Sequence, residues 1–428
     1  MEKSQGAFIE RLTIMVFLIA SAIAAFSCLS LLASAIAIPR DAPLDTTLRF
    51  QPDGTFQISI FEDLHFGEAE DLDWGPQQDH NTTNLVMYPV IDREPSQLIV
   101  LNGDLITGEN TYKENSTDYV DEVVSPLVCE RKLWASTYGN HDSSYNLSRS
   151  DMYAREKTYP NSLTGNAVTA PDSGVTNYYL PIYTAGSSSI GKNTLPSFIL
   201  YFFDSRGGDY YQEHNDTDSA LIAQPDWVTA PVVSWYRSTM ASFTKRNNGV
   251  PIPSIAFVHI PIYAMAAFQA QGVSATREPG INDDNPLATQ GQWTPNGDGD
   301  GSVYNGQDVG FMSALLDAAQ EHGLRAVFSG HDHGDSWCMP WTAALTDSLP
   351  NATDGMKGKQ GPKLCFGQHT GYGGYGNWIR GSRQVKIRDG EHGVETWVRF
   401  EDGSVNGGVV LNETYGQDVY PRVPDRYS

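Results

Sequence analysis

Short apolar runs alternate with helical patterns along most of the chain, and five of the runs stop abruptly at polar residues. Residues 56–61 lead into Glu62-Asp63-Leu64-His65, residues 98–101 into Asn102-Gly103-Asp104, and residues 133–138 into Gly139-Asn140-His141-Asp142. Residues 255–258 deliver His259, and residues 326–328 deliver Ser329-Gly330-His331-Asp332-His333. Apolar runs of this length, bounded by turn-forming residues, predict strands. Strands that alternate with helices predict an α/β domain in place of an all-β sandwich. Open α/β sheets bind ligands beyond the carboxyl ends of their strands, so motifs dispersed between Asp63 and His333 can converge on one site.

Between the motifs, residues 232–243 carry Trp235, Tyr236, Met240 and Phe243 at helical spacing, and residues 311–319 read as a second amphipathic helix. Those apolar side chains are assigned to the core. Residues 161–174 and 272–306, rich in Gly, Pro, Asn and Asp, read as long surface excursions, and the polar chain beyond Gly416 as a surface tail. No internal repeat or interdomain linker is visible.

Charge changes the picture of partners. A formal charge of -23 over 428 residues opposes nucleic acid as a partner, because such binding depends on Lys and Arg displacing counterions from phosphates. A small phosphorylated substrate stays compatible where bound metal ions supply the positive charge. The amino terminus is separate: no charged side chain lies between Arg11 and Arg40. Residues 1–39 are expected to be a signal peptide, with Ala33-Ser34-Ala35 or Ala35-Ile36-Ala37 as cleavage site, or an uncleaved signal anchor. Residues 40–428 are then expected to be one domain in the secretory pathway, secreted or membrane-anchored. Six sequons, at Asn81, Asn115, Asn146, Asn215, Asn351 and Asn412, fit a glycoprotein of that compartment. Cys338 and Cys365 flank a polar stretch that a disulfide can close, leaving Cys129 as a spare thiol; three buried free thiols fit the spacing equally well.

Each histidine alone reads as a hydrogen-bonded or solvated residue, but half of the ten fall in the motifs. Taken together and in this order, Asp63-Leu64-His65, Gly103-Asp104, Gly139-Asn140-His141-Asp142, His259 and Gly330-His331-Asp332-His333 resemble the calcineurin-like metallophosphoesterase family over roughly residues 55–400. The run Gly103-Asp104-Leu105-Ile106-Thr107-Gly108-Glu109 looks like the fungal and plant proteins related to purple acid phosphatases. The resemblance implies a two-sheet β-sandwich flanked by helices. It implies one metal held by Asp63, His65, Asp104 and His333, a second held by Asp104, Asn140, His259 and His331, and Asp104 between them. The mixed nitrogen and oxygen donor set suits iron, manganese or zinc.

It further implies hydrolysis of phosphomonoesters by in-line attack of a metal-bound hydroxide, with His141 stabilising phosphoryl charge and protonating the leaving alkoxide, and Asp142 orienting or charge-stabilising that imidazole. A phosphodiesterase using the same site is the second expectation. A non-catalytic metal-containing surface glycoprotein is the third, and it has little need of His141. One departure stands out. Purple acid phosphatases carry a tyrosine ligand where this chain has Thr107 and lack a histidine where it has His65, so no tyrosinate colour is expected.

Two features stay open. His369 precedes Gly371-Tyr372-Gly373-Gly374-Tyr375-Gly376, which reads either as a pocket loop or as a flexible turn. Asn296-Gly297-Asp298-Gly299-Asp300-Gly301 begins like a calcium loop but has Gln307 where a glutamate belongs, and reads as a surface loop.

Overall fold

The computed structural model describes residues 44–187, 190–191, 193–292 and 303–424. The apolar segment within residues 1–39 and the calcium-like run at 296–301 lie outside them. Among the described residues no helix is long and apolar enough to cross a membrane.

Fifteen strands run through the described residues in chain order: β1 (Leu48–Arg49), β2 (Thr55–Phe61), β3 (Leu98–Asn102), β4 (Trp134–Thr137), β5 (Tyr178–Tyr183), β6 (Phe198–Phe203), β7 (Asp209–His214), β8 (Leu221–Ala223), β9 (Ser254–Val258), β10 (Leu324–Ser329), β11 (Cys338–Pro340), β12 (Lys363–Phe366), β13 (Gly381–Arg388), β14 (Val394–Phe400) and β15 (Val405–Leu411). One sheet has seven strands in the order β1-β5-β6-β9-β10-β12-β11, and the other has six in the order β15-β14-β13-β2-β3-β4. Within them β6, β9, β10 and β12 are mutually parallel, as are β2, β3 and β4.

The sheets stack through alternate side chains. In β2, Phe56, Ile58 and Ile60 face an inter-sheet core shared with Phe202, Phe257 and Phe328. The alternate residues Ala256 and Val258 of β9 face outward, where Tyr236 and Met240 of α5 (Ala230–Arg246) and Phe311 and Leu315 of α7 (Val309–Glu321) cover them. On the other outer face, Val120, Val123 and Leu127 of α3 (Asp118–Cys129) cover Ile99 and Leu101 of β3. Central strands covered on both faces must be apolar throughout. The result is the expected sandwich flanked by helices.

Two features differ from the sequence reading, the excursions and Cys129, and the alternative left open at Cys338 and Cys365 is decided. The segments expected as surface excursions are partly buried: Thr164, Ser173, Ile281, Leu287 and Gln290 are all interior. Side chains meet the backbone polar groups there, since Asp332 Oδ1 accepts from Ala288 N at 2.9 Å and Gln290 donates to the Ile260 carbonyl at 2.7 Å. Cys338 and Cys365 form a disulfide between paired strands. Cys129 is not a spare thiol.

Candidate metal centre

All five polar motifs lie at carboxyl ends of parallel strands, and the loops are tied to one another before any side chain is considered. Asp63 N donates to the Gly103 carbonyl at 3.0 Å, His65 N to the Asp104 carbonyl at 3.0 Å, and Gly330 N to the His259 carbonyl at 3.0 Å. The chain bends hard to do this. Asp63, His65, Asp104 and His331 have φ of 53°, 50°, 49° and 80°, in the left-handed region that side chains disfavour. Four such residues in one cluster match the way strain gathers at functional sites. Gly103, at φ 95°, is required: a Cβ there would lie 2.4 Å from His259 Nδ1.

The donor atoms gather in two groups, Asp63 with His65 and His333, and Asp104 with His259 and His331, each within 4.8 Å. Asp104 Oδ2 lies 2.9 Å from His259 Nε2 and 3.9 Å from His65 Nε2, which places one carboxylate oxygen between the groups. Hydrogen bonds fix the tautomers. His259 Nδ1 donates to the Asn102 carbonyl at 2.8 Å and His333 Nδ1 to the Tyr375 carbonyl at 2.9 Å, so in the neutral rings each Nε2 keeps a lone pair. His65 Nδ1 meets Thr107 Oγ1 at 3.0 Å, and its Nε2 approaches His333 Nε2 at 3.2 Å.

Burial pushes His65 well below its ordinary range, aided by His141 and His333, and pushes His331 down to about 3. Neutral imidazole is the form that ligates metal. Burial opposes ionisation of Asp63 and Asp104, but the facing imidazoles outweigh it and hold both carboxyls below the usual range. Asn140 Oδ1 is buried without a hydrogen-bond partner. The buried His259 Nε2 faces Asp104 Oδ2; burial alone would lower that imidazole, but the charge of Asp104 outweighs it and raises the ring to about 10. An orphaned acceptor is costly in an interior, and together with the facing carboxylates and imidazoles it fits a cation pair. Six of the seven residues read as ligands are thus brought together in the two groups, and the seventh, Asn140, stands next to His141, whose backbone N–H meets Asp104 Oδ1.

His141 sits beside them, its ring 4.9 Å from that of His65. Its backbone N–H donates to Asp104 Oδ1 at 2.8 Å, and its Nδ1 pairs with Glu109 Oε1. Burial alone would lower this imidazole, but Asp104 and Glu109 raise it to about 9. The expected part of Asp142 is corrected here. Its Oδ1 accepts from Leu105 N and Ile106 N at 2.8 and 3.0 Å and its Oδ2 from Gly139 N at 2.8 Å, so it braces two ligand loops instead of the imidazole. Glu109 is the carboxylate that meets His141. Glu109 and Thr107 were missed in the sequence, although both lie within the run that begins at Gly103.

The glycine-rich run is a loop packed against the candidate ligands His333 and His65. A Cβ on Gly374, at φ 75°, would stand 2.4 Å from His333 Cε1 and 2.9 Å from His65 Cδ2. Tyr375 stacks on His333 with ring centres 4.1 Å apart, and half of its surface is exposed. His369 is buried against His333 at 3.9 Å, and its Nε2 donates to the Gly373 carbonyl at 3.1 Å.

Over 387 residues the chain is 26% identical to "Probable inactive purple acid phosphatase 14" of Arabidopsis thaliana, covering 83% of each protein. It is 26% identical over 378 residues to "Phosphatase DCR2" of Saccharomyces cerevisiae, covering 84% of this chain and 56% of the yeast protein. Among solved structures, a dimetal phosphatase from Danio rerio aligns with 83% of this chain and 98% of that one, at 12% identity and a TM-score of 0.47. A purple acid phosphatase from yellow lupin seeds aligns with 88% of this chain and 58% of that one, at 12% identity and a TM-score of 0.44. The calcineurin-like phosphoesterase family model matches residues 60–335, more than half of the sequence, and the chain belongs to that family.

Proposed function

We propose that the chain is a dinuclear metal-dependent phosphatase that hydrolyses small phosphomonoesters. The observation that carries this reading is the convergence of two three-residue donor groups on Asp104 Oδ2, with His141 alongside. Asp63, His65, Asp104 and His333 would hold one ion, and Asp104, Asn140, His259 and His331 the other. Iron, manganese or zinc in these positions supplies Lewis-acid polarisation of the phosphoryl group and activation of water.

The chain's own residues do the rest. Glu109 fixes the His141 ring through Nδ1, which leaves Nε2 to donate to the phosphoryl oxygen and then to the departing alkoxide as water displaces it in line. Asp142 holds the Asp104 and Asn140 loops in register through three amides. A second reading is favoured by the carboxylates of Glu68 and Glu109 near the imidazoles. A diester carries one negative charge and is repelled less than a dianionic monoester.

The apolar stretch between Arg11 and Arg40 and the six sequons support a lumenal or extracellular setting for this activity. The plant relative's name includes "probable inactive", which makes turnover the decisive measurement. Purified protein supplied with manganese, iron or zinc is expected to cleave an aryl phosphomonoester, and folded His141→Ala to lose about 10²- to 10⁴-fold in rate. Cleavage of a bis-aryl diester alone would favour the second reading. No cleavage of either ester with any of the three metals would defeat both.

A further inference from the structure

A cavity of about 550 Å³, lined by Arg325, Lys363, Gln360, His392 and Glu413 among others, lies far from the metal centre. Arg325 is the second residue of β10, whereas His331 and His333 follow that strand's last residue. At about 3.3 Å per residue, the two ends are roughly 20 Å apart. Lys363 opens β12 and pairs in register with Ala326, while Leu411 ends β15, so all three strands present this end of the sandwich.

The backbone aims the arginine. Leu324 pairs with Ser254 and Ala326 with Ile255, leaving Arg325 as the extra residue of a bulge, a device that redirects a side chain. Its guanidinium lies over the Phe198 ring at 5.4 Å, and Nη1 is sealed from solvent without a hydrogen-bond partner. Neither Arg325 nor Lys363 forms an ion pair among the described residues. Glu413, exposed, acts on Lys363 only at longer range. Burial lowers Arg325 to about 10 and also lowers Lys363, the direction expected of cations left without a counter-charge. In a chain of charge -23, carboxylates abound, yet among the described residues none forms an ion pair with either cation. An uncompensated charge so placed is destabilising unless something pairs with it.

We infer that this cavity is a second anion site, in which Arg325 and Lys363 bind a phosphate-class oxyanion, either free or carried on a small organic molecule. It is independent of the metal centre and of the reaction proposed there.

The test is calorimetric titration of the metal-loaded full chain with orthophosphate and, separately, with phenylphosphonate, in about 150 mM salt to screen weak surface attraction. In both Arg325→Gln and Lys363→Gln, one class of binding is expected to weaken by about 10-fold or more, the scale of lost charge-assisted hydrogen bonds, while binding at the metal centre persists. Should Arg325→Gln fail to fold, Lys363→Gln alone carries the comparison. Tighter phenylphosphonate binding identifies an organic phosphate as the ligand, and tighter orthophosphate binding the free ion. Isotherms of folded variants that superimpose on the wild type for both compounds would overturn the site.

Discussion

Thr107 and Glu109 separate two kinds of support for the reacting groups. Thr107 Oγ1 holds His65 Nδ1 at 3.0 Å and so orients a proposed metal ligand. Thr107→Val keeps the shape and removes the hydroxyl, and is expected to weaken metal affinity by about 10- to 100-fold, measured by competition with a chelator. Glu109 touches His141 and none of the ligand imidazoles. Glu109→Gln is expected to leave metal affinity within about twofold and to lower kcat by about 10-fold or more, the signature of a displaced proton donor. Equal losses of metal in both variants would contradict this division. The clustering of the candidate ligands was legible because each stands shortly after a strand, where spacing alone exposes it. The supporting residues were not: the left-handed turn at Asp104 and the tight turn Gly108–Asn110 swing Glu109 toward His141, and no linear pattern encodes that. Adjacency misled in the other direction, since Asp142 follows His141 in sequence but its carboxylate is engaged with three backbone amides.

The loop at residues 371–376 shows the same limit one level up, because glycine richness is compatible with either a flexible turn or a close approach. Here it is the approach that requires glycine, with Gly374 lying against the His333 and His65 rings. Gly374→Ala combines a left-handed backbone with overlap of two imidazoles that have little freedom to move, and the loop must lift to accommodate it. The expected outcome is a loss of metal from the Asp63, His65 and His333 group by about 10-fold or more, at a cost in fold stability of roughly 1–2 kcal/mol. Metal content by elemental analysis and a urea melt measure the two effects separately. Strands were easier to read than loops. Apolar runs located β2, β3, β4, β9 and β10, and the helices around Tyr236 and Leu315, because covering both faces leaves a continuous signal. Burial of the loops was hidden, since their polar atoms are satisfied by partners distant in sequence, as Asp332 satisfies Ala288.

Across the whole molecule, buried carboxylates set the response of stability to pH. Burial raises Asp79 and Asp308 to about 7 and Asp226 to about 6. Asp308 is fully buried, accepting from Tyr304 Oη at 2.6 Å and from Tyr263 N at 2.9 Å at the start of α7. An unfolded aspartate releases its proton near about 3.9. Between that value and about 7 the folded state therefore binds more protons than the unfolded state, and the slope of unfolding free energy with pH is negative. The contribution of Asp308 is fully retained below the unfolded value and is lost as pH rises through about 7. Groups held low act in the opposite sense: Arg155 lowers Asp121, and Lys359 and Arg237 outweigh burial to lower Asp317, so their contribution is fully present above the unfolded carboxylate value and is lost as pH falls through the lowered folded one. Metal release on acidification opposes the Asp308 trend in the intact protein, but it cancels in a comparison between proteins with the same ligands. Asp308→Asn carries a fixed penalty for one weakened hydrogen bond and no titration. The stability gap between wild type and Asp308→Asn is expected to shrink by a few kcal/mol from pH 4 to pH 8, measured by urea unfolding at matched metal loading. A gap independent of pH would mean that Tyr304 and Tyr263 keep Asp308 ionised in the interior, and the acid-favoured component of stability would then have to come from the other carboxyls that burial raises, Asp79, Asp226 and Asp335 among them.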